Sequence, residues 1–128
     1  MSFTHTVTQT WSGDARTLVS SKTYTGAAKQ SIAESVPDSS TDMPVALTID
    51  VSTIKSIFIL SSTDLTLETN DGTTPADTIN LKAGVAYMWN TDSADALKLT
   101  TDVTGLFLTN ASGAAATFAL EVIFDPTP

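Results

Sequence analysis

The sequence predicts an all-β domain, a sandwich or barrel of about eight to eleven short antiparallel strands with little or no helix. Three observations carry that prediction. Hydroxyl residues dominate: 23 Thr and 14 Ser among 128 residues. Thr is β-branched and suits a pleated, half-wet surface, while Ser competes with helix and favours turns. Apolar and polar residues alternate with a period of two along most of the chain, and no segment keeps a 3.6-residue period over helical length. Turn signals separate these alternating runs at the spacing of a sandwich or barrel.

The elements follow in order. Residues 3–11, "FTHTVTQTW", alternate Phe3, His5, Val7, Gln9 and Trp11 with four threonines, which predicts a strand. "SGDA" turns the chain into a second strand over 16–24, closed by Gly26. Residues 28–36, "AKQSIAESV", tolerate helix, but Ile32, Glu34 and Val36 alternate with small residues, and a strand is preferred. A loop lies between Pro37 and Pro44. Residues 45–51 place Val45, Leu47, Ile49 and Val51 on one face of a half-buried strand. Residues 54–60, "IKSIFIL", are apolar on both faces. Further strands are expected over 64–70, 78–81, 85–90, 97–101, 104–110 and 116–125. "STDLTLETN" and "TTDVTGLFLTN" share a pattern that marks two similar strand positions in one sandwich rather than a repeat array.

Length bounds the chain to one domain, residues 1–128, with residues 1–12 a possible N-terminal arm or edge strand. A domain of this size sustains a core without covalent staples, and there is no cysteine. Charged residues make up only 16%, with a net charge of −8. That balance argues against nucleic acid and against anionic membrane as partners. The N-terminus lacks the basic and apolar regions of a signal peptide, and no run reaches the ~18 apolar residues of a membrane helix.

Chemistry has little to work with. His5 is the one histidine and lies near a terminus, a poor place for the rigid geometry of a triad. Zinc needs several His or Cys ligands. Asp38 and Asp42, Asp71 and Asp77, and Asp92 and Asp95 could offer oxygens to calcium, but none follows the D-x-[DN]-x-[DN]-G spacing, and Asx turns account for them. Glu34, Glu68 and Glu121 are available for glycoside hydrolysis, yet Glu68 and Glu121 fall on the polar phase of their strands. "NASGAAA" lacks the lysine of a phosphate loop. The expectation is a protein without catalysis, cofactor or metal.

Tyr87 and Trp89 share one side of a strand with Val85. They fill a core or, as the alternative, form a platform for a carbohydrate. Several strands carry apolar residues on both phases. Ile57 and Ile59 oppose Phe58 and Leu60, and Phe107 opposes Leu106 and Leu108. If one phase is core, the other is an outward apolar set of the kind that meets another protein.

The runs "ALTIDVSTIKSIFILSSTDLTLETND", "TINLKAGVAYMWN", "TTDVTGLFLTN" and "EVIFDPTP" resemble small structural proteins of tailed bacteriophages, in particular the jelly-roll cement, or decoration, proteins of phage heads. The resemblance covers residues ~45–125 and lies in strand texture. It implies a two-sheet jelly-roll of about eight core strands with extra strands at the N-terminus. It further implies a homotrimer or homodimer on the outside of a virion capsid, made in the bacterial host cytoplasm, cementing neighbouring subunits of the phage major capsid protein. On that reading the contact residues are Phe3, Val7 and Trp11 of the arm with Ile57, Ile59 and Phe107. The alternative is a carbohydrate- or receptor-binding module of a tail or spike that uses Tyr87 and Trp89.

Overall fold

The structure is a computed structural model that describes residues 2–126. Ten strands are present among them: β1 (Phe3–Ser12), β2 (Thr17–Gly26), β3 (Ala28–Val36), β4 (Met43–Val45), β5 (Ile54–Ser61), β6 (Leu65–Thr69), β7 (Thr78–Leu81), β8 (Tyr87–Asn90), β9 (Leu106–Thr109) and β10 (Ala116–Phe124). One 3-10 turn, Val51–Thr53, precedes β5.

β1 and β2 form a hairpin of their own, and the other eight strands build two antiparallel four-stranded sheets. The first sheet runs β3-β10-β5-β8 and the second β4-β9-β6-β7. From β3 to β10 the chain changes sheet at every connection except β6 to β7. This is the jelly-roll winding of an eight-stranded sandwich.

Period-two alternation decides which residues face inward. In the first sheet, register aligns Ile32, Leu120, Ile59 and Tyr87 in one inner row, with Val122, Ile57 and Trp89 in the next. Leu65, Leu67, Ile79, Leu81, Leu106 and Leu108 face them from the second sheet, and all belong to one buried cluster. Phe118 is its largest fully buried side chain. Burying such side chains contributes roughly 1.5–3 kcal/mol each, which is why Ile57, Ile59, Phe118, Leu120 and Val122 end in the middle of the sandwich.

The two similar motifs have a shared structural cause. β6 and β9 are neighbours, pairing Thr66 with Thr109, and each ends in Thr-Asn. Asn110 is fully buried. Its Nδ2 donates to the carbonyls of Val36, Pro37 and Ala114, and its Oδ1 accepts from Ser112. Asn70 takes the left-handed conformation at φ 71°. Its Nδ2 donates to the Asp102 carbonyl, and its Oδ1 accepts from the Thr104 amide. Each amide side chain thus ties the end of its strand to a segment distant in sequence: Asn70 to the approach to β9, and Asn110 to the end of β3 as well as to its own loop.

Two expected strands are not ladders. Past Val45, the segment to residue 51 keeps Leu47 and Ile49 buried, but only the isolated bridge Ile49↔Val103 pairs it. Asp50 accepts from the Ser52 amide and Asp102 from the Val51 amide, so side chains take the hydrogen bonds a neighbour strand would. Residues 97–101 behave alike. Leu99 is buried, while the amides of Thr100 and Thr101 donate to the Asp77 carboxylate and that of Lys98 to the Tyr87 hydroxyl. Alternation reported burial there without reporting pairing.

Candidate functional site

The N-terminal hairpin is the feature the sandwich does not need. Its ten rungs run from Phe3↔Gly26 to Ser12↔Thr17. Sequence alternation gives it two unlike faces. One is a hydroxyl ribbon of Thr4, Thr6, Thr8 and Thr10 with Ser21, Thr23 and Thr25, where Thr6 and Thr23 Oγ1 atoms lie 3.3 Å apart and Thr8 and Ser21 hydroxyls 3.2 Å apart. The other carries Phe3, His5, Val7, Gln9 and Trp11 from β1, opposite Gly26, Tyr24, Lys22, Ser20 and Leu18 from β2.

The first half of that second face lies on the outer surface of the first sheet. Phe3, His5, Val7 and Tyr24 are half-buried there. Gly26 packs so closely that a Cβ on it would meet the Phe124 amide nitrogen at 2.9 Å and the Ile123 Cβ at 3.3 Å. Ile123 and Ser56 point outward from their strands yet are 0% and 2% exposed, because the hairpin roofs them. Two polar contacts hold it. The Ala27 amide donates to Asp125 Oδ1 at 2.8 Å, and Lys22 Nζ stands 2.6 Å from Asp92 Oδ2. Between roof and sheet remains a hollow of about 410 Å³ lined by His5, Val7, Phe58, Met88 and Glu121, among others. Burial in this layer pulls the His5 imidazole below its ordinary value; Glu121 pulls it up and Lys29 lowers it.

The second half has no sheet beneath it. Trp11 is 71% exposed, Leu18 48% and Val19 65%. Trp11 and Leu18 are a directly opposed pair on the face that packs the sheet further down. Arm and body are therefore distinct: a paired ribbon anchored at its base, with an apolar tip in solvent. The arm extends to Gly26 rather than ending near residue 12, because β2 belongs to it.

The other sequence candidates are placed as follows. Phe3 and Val7 face their own sheet, while Trp11 is free. Ile57 and Ile59 are not outward: they are 2% and 0% exposed in the core, and Phe58 and Leu60 take the outer phase. The apolar run has two apolar phases because the hairpin covers part of the outer one, a signal that one strand read alone does not contain. Phe107 does point outward and is half-buried, paired with Glu68 and Pro44 on the outer face of the second sheet. Leu18 and Val19 escape the sequence reading, although two adjacent apolar residues beside a turn, with no core to share, were the available sign.

Tyr87 and Trp89 lie on the inner phase, packed against the core at the open side of β8. Trp89 Nε1 donates to the Asp95 carbonyl at 2.9 Å, and the Tyr87 hydroxyl accepts from the Lys98 amide at 3.0 Å. Lys98 Nζ stands 5.7 Å from the Tyr87 ring centroid. Both aromatics thus hold the loop after β8, and their polar ends are taken.

Glu68 and Glu121 stand on the outer faces of opposite sheets and share no cleft. Burial, with Asp42 and Asp71 nearby, raises the Glu68 carboxyl, whereas Glu121 accepts from the Ser31 hydroxyl and pairs with Lys29. The loop aspartates serve the backbone. Asp77 holds Thr100 and Thr101, Asp71 accepts from the Thr73 amide, and Asp38 from the Gly113 amide. Among the described residues no three His, Cys, Asp or Glu side chains cluster to hold a metal ion, and no helix is long and apolar enough to cross a membrane.

No family model and no curated protein matches the chain. A solved chain of Bacillus endospore appendages, described as a family of disulfide-linked pili, superposes with a TM-score of 0.41 at 8% identity, over 78% of this chain and 88% of that one. A likeness at this level assigns no function.

Proposed function

We propose that this chain is a structural virion protein that sits on the outside of a phage capsid and cements neighbouring major capsid subunits, working as a homo-oligomer without catalysis. The observation that carries the reading is the arm. A hydroxyl-rich ribbon, fixed at its base to a rigid sandwich, ends in Trp11, Leu18 and Val19 in solvent. A large aromatic held on a stiff support is what an interface anchor requires. Phe107, on the opposite outer face, is available for the shell side. The jelly-roll order and the strand texture shared with phage cement proteins support the same reading. Each bound copy would add contact energy to the assembled shell alone, which stabilises the shell by mass action, and repetition over a lattice multiplies a modest contact.

The test is co-sedimentation of the purified chain with capsids that lack it. The expected result is saturable binding in a fixed ratio to the capsid protein and a raised temperature of capsid disruption. Failure to sediment with any capsid of the phage that encodes it overturns the reading. The carbohydrate alternative has less support, since Tyr87 and Trp89 are engaged with their own loop.

A further inference from the structure

The arm roofs only part of the outer surface of the first sheet. Register places Ser31, Glu121, Phe58 and Met88 in one outward row, and Lys29, Ile123, Ser56 and Asn90 in the row beside it. These rows lie under or beside the arm. On their other side, Ala33, Ala119 and Leu60 align in a third outward row, followed by Ser35, Thr117 and Ser62. Ala33 and Ala119 are exposed and Leu60 is half-buried. Above them lies a shallow hollow of about 160 Å³ bordered by Leu60, Ser62, Gly84, Thr117 and Ala119, with Val85 exposed beside it at 62%. Not one of these side chains ionises, in a chain of net charge −8. The terrace is flat, floored by small residues and continuous with the surface on which the arm already packs.

The arm tip matches it. Gln9, Thr10, Trp11, Leu18, Val19 and Ser20 form a patch without charge just before the turn, and the turn itself carries one acid and one base, Asp14 and Arg16, with no net charge. Trp11 and Leu18 stand on the face that packs a sheet of this same kind further down the ribbon. A ten-rung paired ribbon cannot double back to reach its own third row, because its base is packed down at Gly26 and Lys22 meets Asp92 of the loop after β8. Among copies that each carry excess negative charge, repulsion is least where both surfaces are neutral.

We infer that the arm tip docks on a second copy of this chain, laying Trp11 and Leu18 on the Ala33–Ala119–Leu60 terrace. The inference deepens the proposed function by naming what the arm grips: a neighbouring cement subunit. Tip and terrace are different patches, so the contact is heterologous and joins copies head to tail. Such contacts close into a ring or extend along a surface according to the angle between successive copies.

Sedimentation velocity of the full chain tests it. The wild type is expected to self-associate with rising concentration. The double substitution Trp11→Ser with Leu18→Ser, and separately Ala119→Glu, each yield monomers with unchanged thermal midpoints, since both sites are exposed. Mixed in equal amounts, the two variants form heterodimers and nothing larger, because one intact tip and one intact terrace remain. If Ala119→Glu fails to fold, Ala33→Glu on the edge strand replaces it. A wild type monomeric at every concentration overturns the inference, as does association that survives the glutamate or a mixture that stays monomeric. Sedimentation with capsids is read separately, so a monomer that binds capsids sinks this inference and leaves the capsid-cementing part of the proposed function standing.

Discussion

Lys22 Nζ and Asp92 Oδ2 approach to 2.6 Å across the gap between the arm and the loop after β8. Each group favours the charged form of the other: the lysine is raised and the aspartate lowered by their hydrogen bond. Both are solvent-exposed, so salt screens the pair and its share in global stability is small. Its effect is local. Asp92→Asn is expected to leave the thermal midpoint unchanged and to speed hydrogen exchange in β1 and β2. Equal exchange in both proteins would show that the pair does not latch the arm.

The arm should also respond to acid. Its lowered pKa means that His5 takes up a proton more readily when the arm is lifted than when it is docked. Docking is therefore supported fully above the ordinary imidazole value of about 6.5 and loses that support as pH falls through and below it. Glu121 softens the effect and Lys29 strengthens it. Exchange of β1 amides, corrected for intrinsic rates, is expected to rise between pH 7.5 and pH 5 in the wild type. The rise should vanish in His5→Gln; a persistent rise would assign it to another group.

Asn110 is a different kind of residue, a buried amide shared among three carbonyls. Asn110→Ala strands those carbonyls and is expected to cost about 1–3 kcal/mol. A lower urea midpoint with an unchanged slope would record it. No loss of midpoint would mean that water replaces the amide.

Position on the strand should separate core from surface. Ile59→Ala opens space beneath the centre of the first sheet and is expected to cost about 2–5 kcal/mol. Phe107→Ala, on an outer face, is expected to cost about 1 kcal/mol. Similar losses at both sites would contradict the assigned phases.

The two tryptophans report the arm independently. In chain dilute enough to be dissociated, acrylamide should quench Trp11 far more than Trp89, whose indole packs on the core and donates to Asp95. Trp89→Phe should leave emission typical of a wet indole. Comparable quenching of both would place the tip against the body.

Much of the architecture was legible because alternation encodes burial directly. Every apolar residue of 116–122 that shares a phase with Phe118 is buried as expected, and the Thr-rich phase of β1 faces solvent. Two things were not legible. A run such as 54–60 shows two apolar phases but does not reveal which faces the second sheet and which lies under a roof donated by residues 3–26. Segments 45–51 and 97–101 alternate like strands, yet Asp102 and Asp77 intercept their amides, and a side-chain acceptor fifty residues away in one case leaves no local trace. The free tip was half legible: Trp11 stood out, while the exposure of Leu18 and Val19 follows from the absence of a sheet beneath that half of the arm.

The place of β10 between β3 and β5 has a consequence for how the molecule comes into being. The hairpin closes between near neighbours in sequence and can form within microseconds. β3 finds its sheet partner only in β10, whose pairing joins residues as far apart as Ala28 and Phe124. Folding rate falls as such distant pairings accumulate. A ribosome-bound chain would hold a hook long before it had a hull to fix it to, and since a lone hairpin is marginal in water, a truncation ahead of residue 116 should yield neither sandwich nor settled arm.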